Sequence, residues 1–220
     1  MILMQKTPEK YMPTNFRKCL TISATLALPL MLLAPLAQAD VAQRIEDCDA
    51  CHGANGVSKE SDVPTIAGIS SFVLEEYMFQ YVDNKRPCRE SKYHYGDTSR
   101  PAKSMCEVAK ELSEAEITEI AEYYAGKEFV AADQPFDAAL AAEGAKIHKR
   151  DCEKCHTDGG SYQDDDAGRL AGQWAAYLEE SIEDYRSGKR HMLEEKMQQK
   201  IDALDAASVA ALVQYYASLK

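Results

Sequence analysis

The sequence predicts an all-α fold of two tandem units. Apolar residues recur at helical spacing, strand-like alternation is absent, and the second half of the chain repeats the first. Val73, Leu74, Tyr77 and Tyr81 share one side of a predicted helix, as do Tyr177, Leu178, Ile182 and Tyr185 in the second half. Ile117, Ile120, Ala121 and Tyr124 follow the i, i+3, i+4, i+7 stripe, with Ser113 and Glu116 at capping-box spacing ahead of them. Val209, Leu212, Val213 and Tyr216 form the matching stripe behind Asp205, a predicted N-cap.

The repeat has a definite register. An offset of 104 carries Cys48, Cys51 and His52 onto Cys152, Cys155 and His156, Ala67-Gly68 onto Ala171-Gly172, and Lys85-Arg86 onto Lys189-Arg190. Further on the offset is 92, which carries Met105 onto Met197, Leu112 onto Leu204, and Tyr123-Tyr124 onto Tyr215-Tyr216. The first half therefore holds a 12-residue insert between Arg86 and Met105 that contains Cys88 and His94. The expected division is residues 1–39 as a leader, 40–128 as the first unit and 129–220 as the second. Units of this size have thin cores, which a bound prosthetic group would fill.

The leader reads as a secretory signal peptide. Arg17 and Lys18 precede an apolar run from Cys19 to Leu36, and Ala37-Gln38-Ala39 offers a cleavage site after Ala39. The expected location is the periplasm, with no membrane span in the mature form. The alternative is an uncleaved anchor, disfavoured by Pro29 within a marginal span. Removing a leader of net charge +3 takes the whole-chain charge of −11 to −14. Phosphate contacts need Lys and Arg clusters, so nucleic acid is not an expected partner.

The chemistry rests on Cys48-Asp49-Ala50-Cys51-His52 and Cys152-Glu153-Lys154-Cys155-His156. C-x-x-C-H is the spacing of c-type haem attachment. Two cysteines three apart share one face of a helical turn and reach two vinyl groups on one haem edge. The following histidine comes under the iron as proximal ligand. A redox dithiol or half a zinc site is the alternative for a single copy. Two copies in repeat register point to two covalently bound haem c groups. Cys88 and Cys106 then remain as an even pair, available for a disulfide in an oxidising compartment.

Met105 and Met197 hold equivalent positions and are the candidate distal ligands, since His/Met ligation raises the potential as suits an electron carrier. Met192 is a rival to Met197. His94 and His191 have no counterparts in the repeat and read as exposed loop histidines. His148 aligns with Arg44 and reads as helix surface. Each proximal ring needs an acceptor for its second nitrogen. The Pro64 carbonyl is the expected one for His52, with Gly168 the equivalent residue in the second half. Trp174 is expected beside a haem, at the interface of the two units, or in plain core packing.

The layout resembles the two-haem class I cytochromes of the cytochrome c4 type. More specifically it is similar to the cytochrome subunit of flavocytochrome c sulfide dehydrogenase. Residues carrying the resemblance are Phe136-Asp137, Gly144-Ala145-Lys146, the second haem motif, Gly159-Gly160, Leu170-Ala171-Gly172-Gln173-Trp174, and Arg190 to Met197. It implies two small haem domains packed in pseudo-twofold fashion and passing electrons between their haems. It also implies a flavoprotein dehydrogenase partner, for sulfide, and onward transfer to a respiratory or photosynthetic acceptor. The alternative is a free cytochrome c4-like shuttle to a terminal oxidase. Neither reading makes the chain an enzyme, because methionines closing both irons leave no open position. The sequence departs from the resemblance in its insert and at Asp40, which stands where the second half has Gly144.

Overall fold

Each half is built from the same four helices, and the caps that the sequence promises set their ends. A computed structural model describes residues 34–192 and 194–220. In the first half α1 spans Ala34–His52, α2 Ser71–Val82, α3 Met105–Lys110 and α4 Glu114–Ala125. In the second, α5 spans Ala138–Asp151, α7 Ala175–Arg186, α8 Glu195–Asp202 and α9 Ala206–Ser218, with a short turn of helix, α6, at Thr157–Gly160. Helix α4 begins with a full capping box between Ser113 and Glu116. Asp205 caps α9 by accepting from the Ser208 amide at 2.7 Å. Most of the expected leader, residues 1–39, lies outside the described residues. Among the described residues no helix is long and apolar enough to cross a membrane.

The duplication extends to the backbone. The Gly68 amide donates to the Tyr124 carbonyl at 2.8 Å, and Gly172 donates to Tyr216 at 2.9 Å. Ile66 donates to Gly56 at 2.8 Å, as Leu170 does to Gly160 at 2.9 Å. Each half has its own apolar core. One joins Ile69, Val73 and Leu74 to Ile120, Ala121 and Tyr124. The other joins Leu178 to Val209, Leu212, Val213 and Tyr216. In the second half α5 crosses α9 at Gly144, where a Cβ would stand 2.0 Å from the Ala211 carbonyl oxygen. Only glycine permits that approach.

Among the described residues the strands lie in the insert alone. Glu90–Ser91 and Lys103–Ser104 form a two-residue antiparallel pair, β1 and β2. A Cys88–Cys106 disulfide closes its base, with Cα atoms 5.3 Å apart. Arg89 then reaches the second half, donating to both carboxylate oxygens of Asp184 at 2.6 and 2.7 Å. Residues Pro35–Lys220 form one compact unit.

Candidate functional site

The first motif ends α1, so Cys48 and Cys51 lie one turn apart and His52 closes the helix. A cavity of about 300 Å³ opens beside them, lined by Cys48, Cys51, His52 and Met105. Its walls include Ile66, Ile69 and Leu74, so its interior is largely apolar. Met105 is the first residue of α3, whose N-terminus is fixed by a capping box between Ser104 and Glu107. The adjacent Cys106 ties that turn to Cys88. The four residues expected to hold the first haem are thus brought to one cavity.

The second motif is placed differently. Helix α5 stops at Asp151, and Cys152–His156 continues as hydrogen-bonded turns instead of the expected helical turn. The His156 amide still donates to the Cys152 carbonyl at 2.9 Å, which keeps the motif tightly wound. His156 Nε2 lies 3.4 Å from Met197 Sδ, so this ring and this thioether converge.

Both rings are deeply buried, and burial pulls both imidazoles below the ordinary histidine pKa. A neutral ring keeps the lone pair that a metal needs. His52 Nδ1 donates to the Pro64 carbonyl at 2.8 Å, which leaves Nε2 for the cavity. His156 Nδ1 is buried without a hydrogen-bond partner. The Gly168 backbone still faces the ring and favours its protonated form, a looser contact than the one His52 makes with Pro64. Gly168 has φ +76°, and a Cβ on it would meet the Tyr77 hydroxyl at 2.6 Å. Packing against the first half therefore decides the residue type here.

Burial pushes the Cys48 thiol up to about 12, and Cys51 and Cys152 also rise through burial.

A further feature fits the implied group. Arg86 and Arg190 occupy equivalent repeat positions and are both buried, 5% and 4% exposed. Arg86 lies over the rings of Tyr77 and Tyr81, and Arg190 over those of Tyr77 and Tyr185. Arg86 Nη1 and Arg190 Nε and Nη2 have no hydrogen-bond partner. Burial raises the Tyr177 phenol, yet the two guanidinium groups beside it leave its pKa lowered overall. Buried cations without a counter-charge are costly. A prosthetic group with carboxylates, as haem has, would answer them. The repeated Lys85-Arg86 and Lys189-Arg190 pairs carried this signal, but only the folded chain shows their unmet donors.

Two expectations need correction. His148 is not on the surface: it is 1% exposed, Nδ1 lies 3.0 Å from the Tyr216 hydroxyl and Nε2 lies 2.6 Å from Glu153. Its alignment with Arg44 misled, because α5 packs that face against α9. His94 is half-buried instead of exposed, its amide donating to the Ala50 carbonyl at 2.8 Å and its Nε2 buried. His191 is exposed as expected. Trp174 lies between the halves, its indole N–H donating to the Ser58 carbonyl at 3.2 Å.

Comparison with known proteins agrees with this geometry. Residues 39–125 match the family model for cytochrome c, and residues 139–215 match that for cytochrome c oxidase, cbb3-type, subunit III. The chain is 30% identical over 171 residues to the thiosulfate dehydrogenase electron acceptor of Thiomonas intermedia (strain K12), covering 73% of this chain and 72% of that protein. It is 28% identical over 183 residues to cytochrome c4 of Pseudomonas aeruginosa, covering 78% and 83% respectively. The fold is shared with reduced recombinant cytochrome c4 from Pseudomonas stutzeri, at a TM-score of 0.67 and 24% identity over 84% of this chain and 98% of that one. It is also shared with part of thiosulfate dehydrogenase from Marichromatium purpuratum, at a TM-score of 0.63 and 23% identity over 79% of this chain and 36% of that one.

Proposed function

The chain belongs to the di-haem class I cytochromes of the cytochrome c4 type, electron-transfer proteins with two covalent haem c groups, and we propose that it is the periplasmic electron acceptor of a sulfur-compound dehydrogenase. Its leader supports the location. The relative named as a thiosulfate dehydrogenase electron acceptor supports a thiosulfate-oxidising donor. A flavoprotein sulfide dehydrogenase is the second reading, favoured by the residues 136–197 that first suggested it. A free shuttle to a terminal oxidase is the third.

Bound haem iron supplies reversible one-electron chemistry. The protein's own residues do the rest. Cys48, Cys51, Cys152 and Cys155 anchor the groups, and His52 and His156 each present a neutral nitrogen. Met105 and Met197 would supply the second ligand to each group, which would keep its potential high and leave no position for a substrate, as suits a carrier. Arg86, Arg190 and the tyrosines between them pack continuously from one half to the other. Two haems held by one chain would let an electron pass between the halves without a diffusive step.

The pairing of both motifs with convergent methionines carries this reading. Affinity purification from the native periplasm tests it, with haem and flavin spectra of what comes down and stopped-flow reduction by the captured partner. A haem-only dehydrogenase that reduces the chain with thiosulfate supports the first reading. A flavin-containing partner that does so with sulfide establishes the second. Absence of any stable partner, with rates that collapse in salt, favours the shuttle.

A further inference from the structure

The proximal histidine of the first half is held by a carbonyl whose own peptide is gripped from the second half. His52 Nδ1 donates to the Pro64 carbonyl at 2.8 Å. The other end of that peptide unit is the Thr65 N–H, which donates to Gln173 Oε1 at 3.2 Å. Gln173 Nε2 donates in turn to the Thr65 carbonyl at 2.6 Å. Gln173 and Thr65 are each 1% exposed, so water does not compete for these bonds. Only this orientation of the amide satisfies both partners.

We propose that Gln173 is a positioning residue for the first haem, setting the strength of the His52 hydrogen bond through the Pro64–Thr65 peptide. An acceptor on a peptide N–H polarises that peptide and makes its carbonyl a stronger acceptor. A stronger acceptor makes the imidazole more electron-rich and orients its ring. An electron-rich proximal ligand favours oxidised iron, so Gln173 lowers the potential of the first haem.

The device works in one direction only. Under the repeat offset, Gln173 corresponds to Ile69, a buried apolar side chain with no amide to offer. In the second half His156 Nδ1 has only the looser contact with the Gly168 backbone, outside hydrogen-bond geometry. The two haems thus differ in their proximal support because the domain interface is unequal.

The inference rests on His52 as proximal ligand of a haem on Cys48 and Cys51. The test uses the mature holoprotein, with potentiometric titration of each haem assigned by NMR of its methyl groups. Gln173→Met keeps the bulk and removes both bonds. It should raise the first potential, changing the reduced-to-oxidised ratio at a fixed potential by about threefold, with the second haem almost unmoved; tenfold would correspond to 59 mV. Trp174→Phe removes the neighbouring bond across the same interface, to Ser58, and should leave the first potential in place. Gln173→Glu keeps an acceptor for the Thr65 N–H and should hold the first potential at or below the wild-type value. The proposal is overturned if Trp174→Phe reproduces the Gln173→Met shift, if Gln173→Glu raises the potential as Gln173→Met does, or if neither Gln173 variant shifts it. Loss of one haem from the wild-type mass would instead defeat the ligand reading itself.

Discussion

The two halves share a scaffold but not its surroundings. In the first, the Tyr124 hydroxyl lies 2.8 Å from Asp49 and 3.2 Å from the Ile45 carbonyl. In the second, Glu153 stands where Asp49 does, and His148 comes between it and Tyr216. A carboxylate only accepts, so His148 Nε2 donates to Glu153 and Nδ1 accepts the Tyr216 hydroxyl proton in the neutral ring. The tyrosine, its helix and the glycine amide on its carbonyl are retained. The side-chain partner has been exchanged for a longer relay. Duplication thus preserves backbone bonds that the fold cannot do without, while side-chain partners are free to diverge.

The comparison breaks most severely if the halves are not equivalent haem sites. Replacing Cys48 and Cys51 by serine, or Cys152 and Cys155, should each leave a chain with one covalent haem and about half the haem absorbance. Mass spectrometry reads the outcome. Retention of two haems by either variant removes the equivalence.

The insert is the next difference. The Cys88–Cys106 bridge closes 18 residues in the first half alone. Replacing both by serine should cost about 3 kcal/mol on the chain-entropy model. Denaturant unfolding of the holoprotein measures it, and the near-infrared Met–haem band should weaken at the first haem only, because Met105 adjoins Cys106.

The buried relay gives a smaller effect. His148→Leu strands the Tyr216 hydroxyl beside an apolar side chain and should cost about 2 kcal/mol. Arg44→Ala, at the aligned position, should cost at most about 1 kcal/mol, since its pair with Glu116 is partly exposed. Equal losses in thermal unfolding would show that the two positions do the same work after all.

The smallest effects should be alike in both halves. Ser113→Ala and Asp205→Ala each remove the cap of the last helix and should cost about 1 kcal/mol. A marked inequality would mean that one terminal helix depends on its cap more than its twin.

Spacing made much of this protein readable. The motif residues are local in sequence, and their chemistry follows from residue type. Helix stripes and caps are local too, so α4 and α9 start where Ser113 and Asp205 say they should. Even the disulfide followed from counting cysteines, because only two remain outside the haem motifs and the leader.

Residue environments, in contrast, depended on which surfaces meet. His148 and Arg44 align, yet only one is enclosed, because burial is a property of the packed neighbour and not of the repeat position. Gly168 lost the proline of its counterpart where the Tyr77 hydroxyl arrives from the other half. Arg86 and Arg190 were visible as a repeated pair, but their unmet N–H groups exist only once two halves bury them together. Gln173 was marked only as part of the run Leu170 to Trp174, and nothing there showed its role, because its partners lie 108 residues away in the peptide behind His52. The sequence by itself determined the cofactor chemistry, the duplication and the helices, all set by short-range spacing. Only the tertiary structure decided how each haem's surroundings differ, since hydrogen bonds and desolvation act between groups that the chain brings together from far apart.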